Sequence, residues 1–140
     1  MKKKDYIIND ENSKFVVREK SNDYEIDLRK RLMDFAVKSF KFLMTLPNKK
    51  EYDVFRYQYS KCSTSIGANY EESQTTTFKE FVSRIRIVIR ETNESLYFLR
   101  VMNELKIGDD SLRLELLDEC TQLSKIFGKI LQKIRSKTKN

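Results

Sequence analysis

Four stretches of this chain repeat apolar residues at helical spacing, mostly in alternating steps of four and three, and this pattern restricts the fold more than any other feature. Such steps place the side chains on one face of an α-helix. The four faces consist of Leu28, Leu32, Phe35, Ser39, Phe42 and Leu46; of Tyr52, Phe55, Tyr59, Cys62, Ile66 and Asn69; of Phe78, Phe81, Ile85, Val88, Thr92, Leu99 and Met102; and of Leu116, Cys120, Leu123, Phe127, Ile130 and Ile134. We therefore predict four amphipathic helices.

Local signals mark the boundary between the first two helices. The first helix is expected to run to Leu46, because Pro47 disfavours helical backbone in the residue before it. Asn48 followed by Glu51 is a variant of the capping box, which predicts the start of the second helix at this point.

The third and fourth helices have clearer signals. Thr77 and Glu80 form a capping box, in which the hydroxyl accepts a hydrogen bond from the third backbone amide. Gly108 predicts the end of the third helix, because glycine readily adopts the left-handed conformation that closes a helix. Either Asp109 or Asp110 then caps the fourth helix.

The chain of 140 residues has room for one domain around one core. Three glycines and one proline are too few for a turn-rich β fold, and short loops between long helices force neighbours to run antiparallel. The sequence therefore predicts an all-α protein, with an antiparallel up-down-up-down four-helix bundle over residues 23–140. Residues 1–22 form an N-terminal extension, which we expect to be either a small hairpin or disordered.

The residue types needed for most catalytic and metal sites are missing. The chain has no histidine, which removes Ser-His-Asp and Cys-His catalysis and most transition-metal sites. Cys62 and Cys120 are isolated within helical patterns, so we expect buried, reduced thiols and no zinc site. We predict no enzymatic activity, no catalytic or metal-binding residues and no cofactor.

The distribution of apolar residues also bears on localisation. The first residues have lysines but no apolar run of the length of a secretory signal, and no stretch approaches the ~20 apolar residues that span a bilayer. We expect a cytoplasmic protein without a membrane partner.

Two helices carry more apolar surface than one bundle needs. The first adds a second stripe of Met33, Val37, Phe40 and Met44, and the third adds Val82, Ile89, Leu96 and Phe98. Exposed apolar patches usually mark a contact surface. We predict a homo-oligomer, whose interface candidates are Met33, Val37, Phe40, Met44, Val82, Ile89 and Phe98. The alternative is a wide stripe that faces the protein's own core.

The net charge of +7 and the isoelectric point near 9.4 permit attraction to RNA or DNA. Cations collect on the predicted third and fourth helices, where the nucleic-acid-binding candidates are Arg86, Arg90, Lys125, Lys129, Lys133, Arg135 and Lys137. Such a ladder of cations can follow a phosphate backbone. The alternative is a solvated helix end, because the helix dipole favours cations at a C-terminus.

Asn69 is the polar residue on the otherwise apolar face of the second helix. A buried asparagine can fix register or oligomeric state through its hydrogen bonds, and an asparagine near a helix end can cap it. We predict a structural role for Asn69 in either case.

Several runs of residues resemble a known family. They are Ser63–Glu72 (STSIGANYEE), Phe78–Phe81 (FKEF), Arg90–Leu99 (RETNESLYFL), Leu46–Pro47 and Leu123–Phe127 (LSKIF). In their order and spacing the chain, from about Arg18 to Lys137, is similar to the four-helix-bundle proteins encoded within intervening sequences of bacterial 23S rRNA genes.

The resemblance implies an antiparallel four-helix bundle, often assembled as a ring, with a pentamer as the favoured form. It also implies kinship with accessory proteins of diversity-generating retroelements, which are basic barrels that bind a reverse transcriptase and nucleic acid. The sequence departs from the commoner family pattern, because Glu72-Ser73 stands where a Glu-Gly pair is usual and Arg90-Glu91 replaces a Gly-Ser pair.

Together these features predict a non-enzymatic, homo-oligomeric helical bundle. We expect it to bind RNA or DNA, or a protein partner that handles nucleic acid, through basic surface on the third and fourth helices. The alternative is a protein-interaction or scaffolding bundle with no nucleic-acid role.

Overall fold

The computed structural model describes residues 5–11, 14–20, 25–74 and 76–138, with side chains from Leu28 onward. Four helices dominate it: α1 (Leu28–Leu43), α2 (Asp53–Ser73), α3 (Phe78–Leu105) and α4 (Asp110–Thr138). A short 3-10 helix, Lys50–Tyr52, precedes α2. The prediction of an all-α, four-helix fold is confirmed. Over the described residues, no helix combines the length and apolarity needed to cross a bilayer.

Three short strands precede the bundle and form one antiparallel sheet in the order β1-β2-β3. They are β1 (Asp5–Glu11), β2 (Lys14–Lys20) and β3 (Glu25–Asp27), and β3 runs directly into α1. The backbone of β2 lies beside both α1 and α3. The division of the chain into an extension, 1–22, and a bundle, 23–140, stays a prediction.

Neighbouring helices run in opposite directions, because residues further along one helix contact residues earlier in the other. From one end of the α1–α2 contact to the other, Leu32 lies against Gly67 and Ser39 against Tyr59. The same reversal is seen for α2 and α3 (Asn69 with Arg84, Phe55 with Phe98), for α3 and α4 (Asn93 with Ser124, Asn103 with Arg113), and for α1 and α4 (Arg31 with Glu119, Lys38 with Glu115). This order of contacts is that of antiparallel neighbours in a closed four-helix arrangement.

The predicted apolar faces meet in one core. Every member of the first and fourth faces is buried, and so are Phe55, Tyr59, Cys62 and Ile66 of the second. On α3 the core also includes Ser95, which lies on the predicted face between Thr92 and Leu99, and Leu96, which lies beside that face. Tyr52, Asn69 and Phe78 are half-buried at the margin.

The first helix ends earlier than predicted. Helical structure stops at Leu43, and the Thr45 hydroxyl then donates to the Phe42 carbonyl oxygen at 2.6 Å. Leu46 remains buried in the turn that follows. The apolar spacing continued to Leu46 because the core extends that far, although the helix does not.

The predicted capping box at the start of the second helix is wrong. Tyr52 is the N-cap residue of α2, and its side chain makes no capping hydrogen bond. The 3-10 helix Lys50–Tyr52, also without a side-chain cap, overlaps the end of the predicted box. The turn is held instead by Arg56, whose guanidinium donates to the carbonyl oxygens of Leu46, at 3.4 Å, and Lys49, at 3.3 Å. Arg56 therefore satisfies carbonyl oxygens of the turn, which are different backbone groups from the N–H groups that the capping box was expected to satisfy.

The start signals of α3 and α4 are confirmed, and the prediction that Gly108 closes α3 is wrong. The Thr77 hydroxyl oxygen accepts from the Glu80 amide at 3.4 Å, and Asp109 rather than Asp110 caps α4, accepting from the Leu112 amide at 2.9 Å. The left-handed residue that closes α3 is Lys106, with φ of 52°, and not Gly108. Gly108 lies in the following turn, also with positive φ, at 76°.

Candidate nucleic-acid interface

The start of α3 and the end of α4 lie at the same end of the bundle. Ser124 of α4 donates to Asn93 of α3 at 3.3 Å, and the rings of Tyr70, near the end of α2, and Phe127 are 6.2 Å apart. Near this end four carboxylates, Glu71, Glu72, Glu80 and Glu91, are outnumbered by eleven cations: Arg29, Lys30, Lys79, Arg84, Arg86, Arg90, Lys125, Lys129, Lys133, Arg135 and Lys137. We call this region the basic end.

All seven cations predicted as nucleic-acid-binding candidates are exposed at the basic end: Arg86, Arg90, Lys125, Lys129, Lys133, Arg135 and Lys137. Among the residues that the structure describes, Arg86, Arg90, Lys125 and Lys129 take part in no ion pair within 4.0 Å. Their charge is therefore available to an external anion.

Arg84, also on α3, differs from these cations because its guanidinium has partners within the protein. Its guanidinium lies 2.9 Å from the Glu72 carboxylate and donates to the Asn69 side-chain oxygen at 3.0 Å. The Asn69 amide in turn donates to the Ser65 carbonyl oxygen at 2.9 Å. The predicted structural role of Asn69 is supported, because its side chain links α2 to α3.

A groove runs along the first three turns of α3, with a volume of about 740 Å³. Its lining consists of Phe78, Lys79, Val82, Ser83, Arg86, Ile87 and Arg90. Val82, which the sequence suggested for an oligomer interface, lies here beside the predicted nucleic-acid candidates Arg86 and Arg90. The contributions of Lys79, Ser83 and Ile87 were missed. A signal for Lys79 and Ser83 existed, because Lys79, Ser83, Arg86 and Arg90 follow steps of four, three and four.

The two apolar stripes predicted to form an oligomer interface differ in exposure. On α1, Met33 is 62% exposed, Val37 47%, Phe40 48% and Met44 76%. On α3, Val82, Ile89 and Phe98 pack against the core, and Phe98 meets the Phe55 ring edge-on at 6.4 Å. Intramolecular packing thus accounts for the α3 residues but not for the α1 stripe.

A smaller cavity of about 160 Å³ lies between α1 and α4, and the two cations in its lining, Arg31 and Lys38, each pair with a carboxylate of α4. Arg31 donates to Glu119 at 2.6 Å, and Lys38 lies 2.9 Å from Glu115. These pairs cross-link the two helices, so this cavity offers less unpaired charge to a ligand than the basic end does.

Burial favours the neutral forms of two thiols and one phenol hydroxyl in the core. Burial raises the pKa of the Cys62 thiol to about 11 and that of Cys120 to about 12, and it also raises the pKa of the Tyr59 hydroxyl. Burial, and then the neighbouring Glu94, raise the pKa of Glu91. No three metal-ligating side chains converge within the described part of the chain. The chemistry that this arrangement supports best is electrostatic attraction of a polyanion.

Comparison with known proteins places the fold. A protein of unknown function from the S23 ribosomal protein family of Bacteroides thetaiotaomicron superposes with a TM-score of 0.66 at 24% identity. The match covers 74% of this chain and 97% of that protein. A search of curated proteins gave no match. The sequence profile described as 23S rRNA-intervening sequence protein matches residues 24–129, which span all of α1, α2 and α3 and most of α4. The chain therefore belongs to the 23S rRNA-intervening sequence protein family.

Proposed function

We propose that this protein is a non-enzymatic, homo-oligomeric helical module that binds RNA or DNA through its basic end. The observation that carries the proposal is the set of exposed cations on α3 and α4, several of which have no ion-pair partner in the described residues. Cations concentrated on one surface attract phosphate and release its counterions on binding.

The helix dipole does not account for this surface. Its effect on charged side chains falls off within the last turn of a helix. Lys125 and Lys129 precede the end of α4 at Thr138 by two turns or more, and Arg86 and Arg90 lie on a different helix. Arg86 and Arg90 are four residues apart, so they repel each other unless an anion lies between them.

Salt dependence gives a quantitative expectation. If about six cations contact phosphates, the logarithm of the association constant falls with the logarithm of salt concentration with a slope of roughly −4 for a single strand. Affinity is then lost by a factor of about 300 between 50 and 200 mM salt. We expect weak dependence on base sequence, because phosphate contacts do not read bases.

The test compares two variants with the same loss of charge. Arg86→Gln, Arg90→Gln, Lys125→Gln and Lys129→Gln together neutralise four exposed cations of the basic end, whereas Lys41→Gln, Lys49→Gln, Lys50→Gln and Lys61→Gln neutralise four exposed cations elsewhere. Fluorescence anisotropy with a labelled RNA should show a large loss of affinity for the first variant and a small loss for the second. Equal losses of RNA affinity in the two variants would show that net charge alone determines binding, and would contradict a specific role for the basic end.

Self-association rests on the α1 stripe. Met33, Val37, Phe40 and Met44 lie on one helical face and are all at least 47% exposed, which is costly for side chains of this size in water. We propose that this face packs against a second copy, and the family resemblance favours a pentamer. In a ring, symmetry would repeat the basic end around one axis and strengthen binding of a long polyanion.

Light scattering tests the assembly. Phe40→Asp with Met44→Lys should give a monomer, whereas Leu114→Asp, at a 55% exposed apolar position on α4, should leave the oligomer intact. A monomeric wild-type protein would reject self-association. An oligomer that ignores RNA at low salt would favour the alternative function, a protein-interaction scaffold.

A further inference from the structure

The α3 groove combines two kinds of lining that a purely electrostatic surface does not need. Three half-buried apolar residues, Phe78, Val82 and Ile87, lie in it. Two exposed arginines, Arg86 and Arg90, lie alongside, together with Lys79, and the described lining includes no carboxylate.

The apolar part of the groove is not simply the edge of the core. Phe78 and Val82 pack against the core and remain half-buried, but Ile87 is half-buried without belonging to it. The Phe78 ring lies nearly parallel to that of Phe81, with centroids 6.5 Å apart and planes 21° from parallel. An aromatic ring beside cations is the usual arrangement for stacking a nucleic-acid base.

We propose that the α3 groove binds an unpaired segment of RNA or DNA, with bases against Phe78 and Ile87 and phosphates against Lys79, Arg86 and Arg90. This inference rests on the proposed function and narrows it from nucleic acid in general to single strands. The lining from Phe78 to Arg90 extends for about 18 Å along α3, at 1.5 Å per residue, which is room for a short segment only.

A single strand fits the lining better than a duplex does. A duplex presents its phosphates and keeps its base faces stacked inside, so the apolar lining would gain nothing from it. An unpaired strand exposes base faces that can cover apolar side chains, and every base has such a face. Binding should therefore be tolerant of sequence but selective for unpaired bases.

The experiment uses the full chain and four labelled ligands: a single-stranded 12-mer, a duplex of the same sequence, an abasic 12-mer with the same phosphates, and a polyglutamate peptide. Wild-type protein should bind the single strand about tenfold more tightly than the abasic strand, because contact with a base face contributes to affinity. Ile87→Asn and Phe78→Leu should each abolish this preference and leave duplex binding unchanged. Leu114→Asn, on α4 and far from the groove, is the matched control, and a thermal melt of each variant reports on folding.

Each remaining outcome contradicts the inference in a distinguishable way. Equal affinity for normal and abasic strands would leave the proposed function in place and remove the base-binding groove. If Ile87→Asn lost both duplex and single-strand binding, Ile87 would have a structural role and would not be a base contact. Tight binding of polyglutamate that displaces the single strand would make the groove a site for an acidic peptide. No binding of any nucleic acid at low salt would reject the proposed function as well.

Discussion

The hydroxyl oxygens of Ser39 on α1 and Tyr59 on α2 lie 2.8 Å apart, and both side chains are fully buried. Both residues belong to the predicted apolar faces of their helices, so this hydrogen bond joins α1 to α2 inside the core. Burial raises the pKa of Tyr59, so the tyrosine stays neutral and its proton remains available for the bond.

The two ends of this bond should respond unequally to mutation. Ser39→Ala leaves the bulky Tyr59 hydroxyl buried without its partner, which should lower the free energy of unfolding by about 1–3 kcal/mol. Tyr59→Phe should cost about 1 kcal/mol or less, because a helical serine can donate to the carbonyl one turn before it. Urea denaturation measures both, and the double variant should resemble Tyr59→Phe. A larger loss in Tyr59→Phe than in Ser39→Ala would refute this order.

Substitution of two glycines by alanine should change the free energy of unfolding in opposite directions. A Cβ at Gly108 would lie 2.7 Å from a ring carbon of Phe42, on a backbone with φ of 76°. A Cβ at Gly128, within α4, would meet no atom within 4 Å. Gly108→Ala should therefore destabilise the fold by about 2 kcal/mol or more, and Gly128→Ala should stabilise it by about 0.5–1 kcal/mol. Thermal melts of the two variants give the signs directly, and a stabilising Gly108→Ala would show that the turn can rearrange.

The core was predictable from the sequence because helical periodicity is a local property. Each predicted face lies almost wholly in the core, since burying one face of a helix requires apolar residues at fixed steps. The end of α1 was misplaced for the same reason. The spacing of apolar residues predicts which residues are buried, not where a helix ends. Leu46 is buried although it lies in the turn after α1.

The candidate site was predictable only in part. Exposed arginines on α3 and lysines on α4 could be found from charge, because the two helices had to be antiparallel neighbours. The groove could not be found, because its apolar members are also good core residues and nothing local distinguishes Ile87 from Ile85. The burial of Arg113, in the turn between α3 and α4 and outside the candidate site, was also not predicted. It depends on the carbonyl groups of Ile107 and Gly108, which only the folded turn brings together.

The two cysteines should be unreactive in the native protein. Cys62 and Cys120 are buried, and burial raises the pKa of their thiols to about 11 and about 12, so little reactive thiolate is present near neutral pH. A disulfide reagent at pH 8 should modify neither thiol on the timescale of minutes, and both after denaturation in guanidinium. Rapid labelling of the native chain would show that the core opens often.

The same pKa values predict the direction of a pH effect on stability. The folded thiols hold their protons above the ordinary value of 9.0, so the stabilisation is complete below pH 9 and is lost as pH rises toward 11. The free energy of unfolding should therefore fall between pH 9 and pH 11. The fall should be smaller in a Cys62→Ala, Cys120→Ala variant, and an unchanged fall would assign the effect to other groups.

Arg113 should be the most sensitive charged position in the turn between α3 and α4. Its side chain is only 4% exposed, and its guanidinium donates to the Ile107 carbonyl oxygen at 2.8 Å and to the Asn103 side chain at 3.0 Å. It also contacts the Gly108 carbonyl oxygen and forms an ion pair with Asp110, which is 79% exposed. The cation therefore satisfies backbone acceptors that water reaches poorly, whereas its acidic partner is solvated.

Because of this asymmetry, we expect substitution of Arg113 to lower the free energy of unfolding more than substitution of Asp110 does. Arg113→Met keeps the apolar stem but leaves the turn carbonyls without a donor, which should cost about 3 kcal/mol or more. Arg113→Lys should recover only part of this loss, because an ammonium cannot reproduce the planar fork of donors. Asp110→Asn should cost about 1 kcal/mol or less, since an exposed ion pair contributes little. Denaturation of the three variants at equal ionic strength makes the comparison. If Asp110→Asn cost as much as Arg113→Met, the ion pair and not the carbonyl contacts would hold the turn.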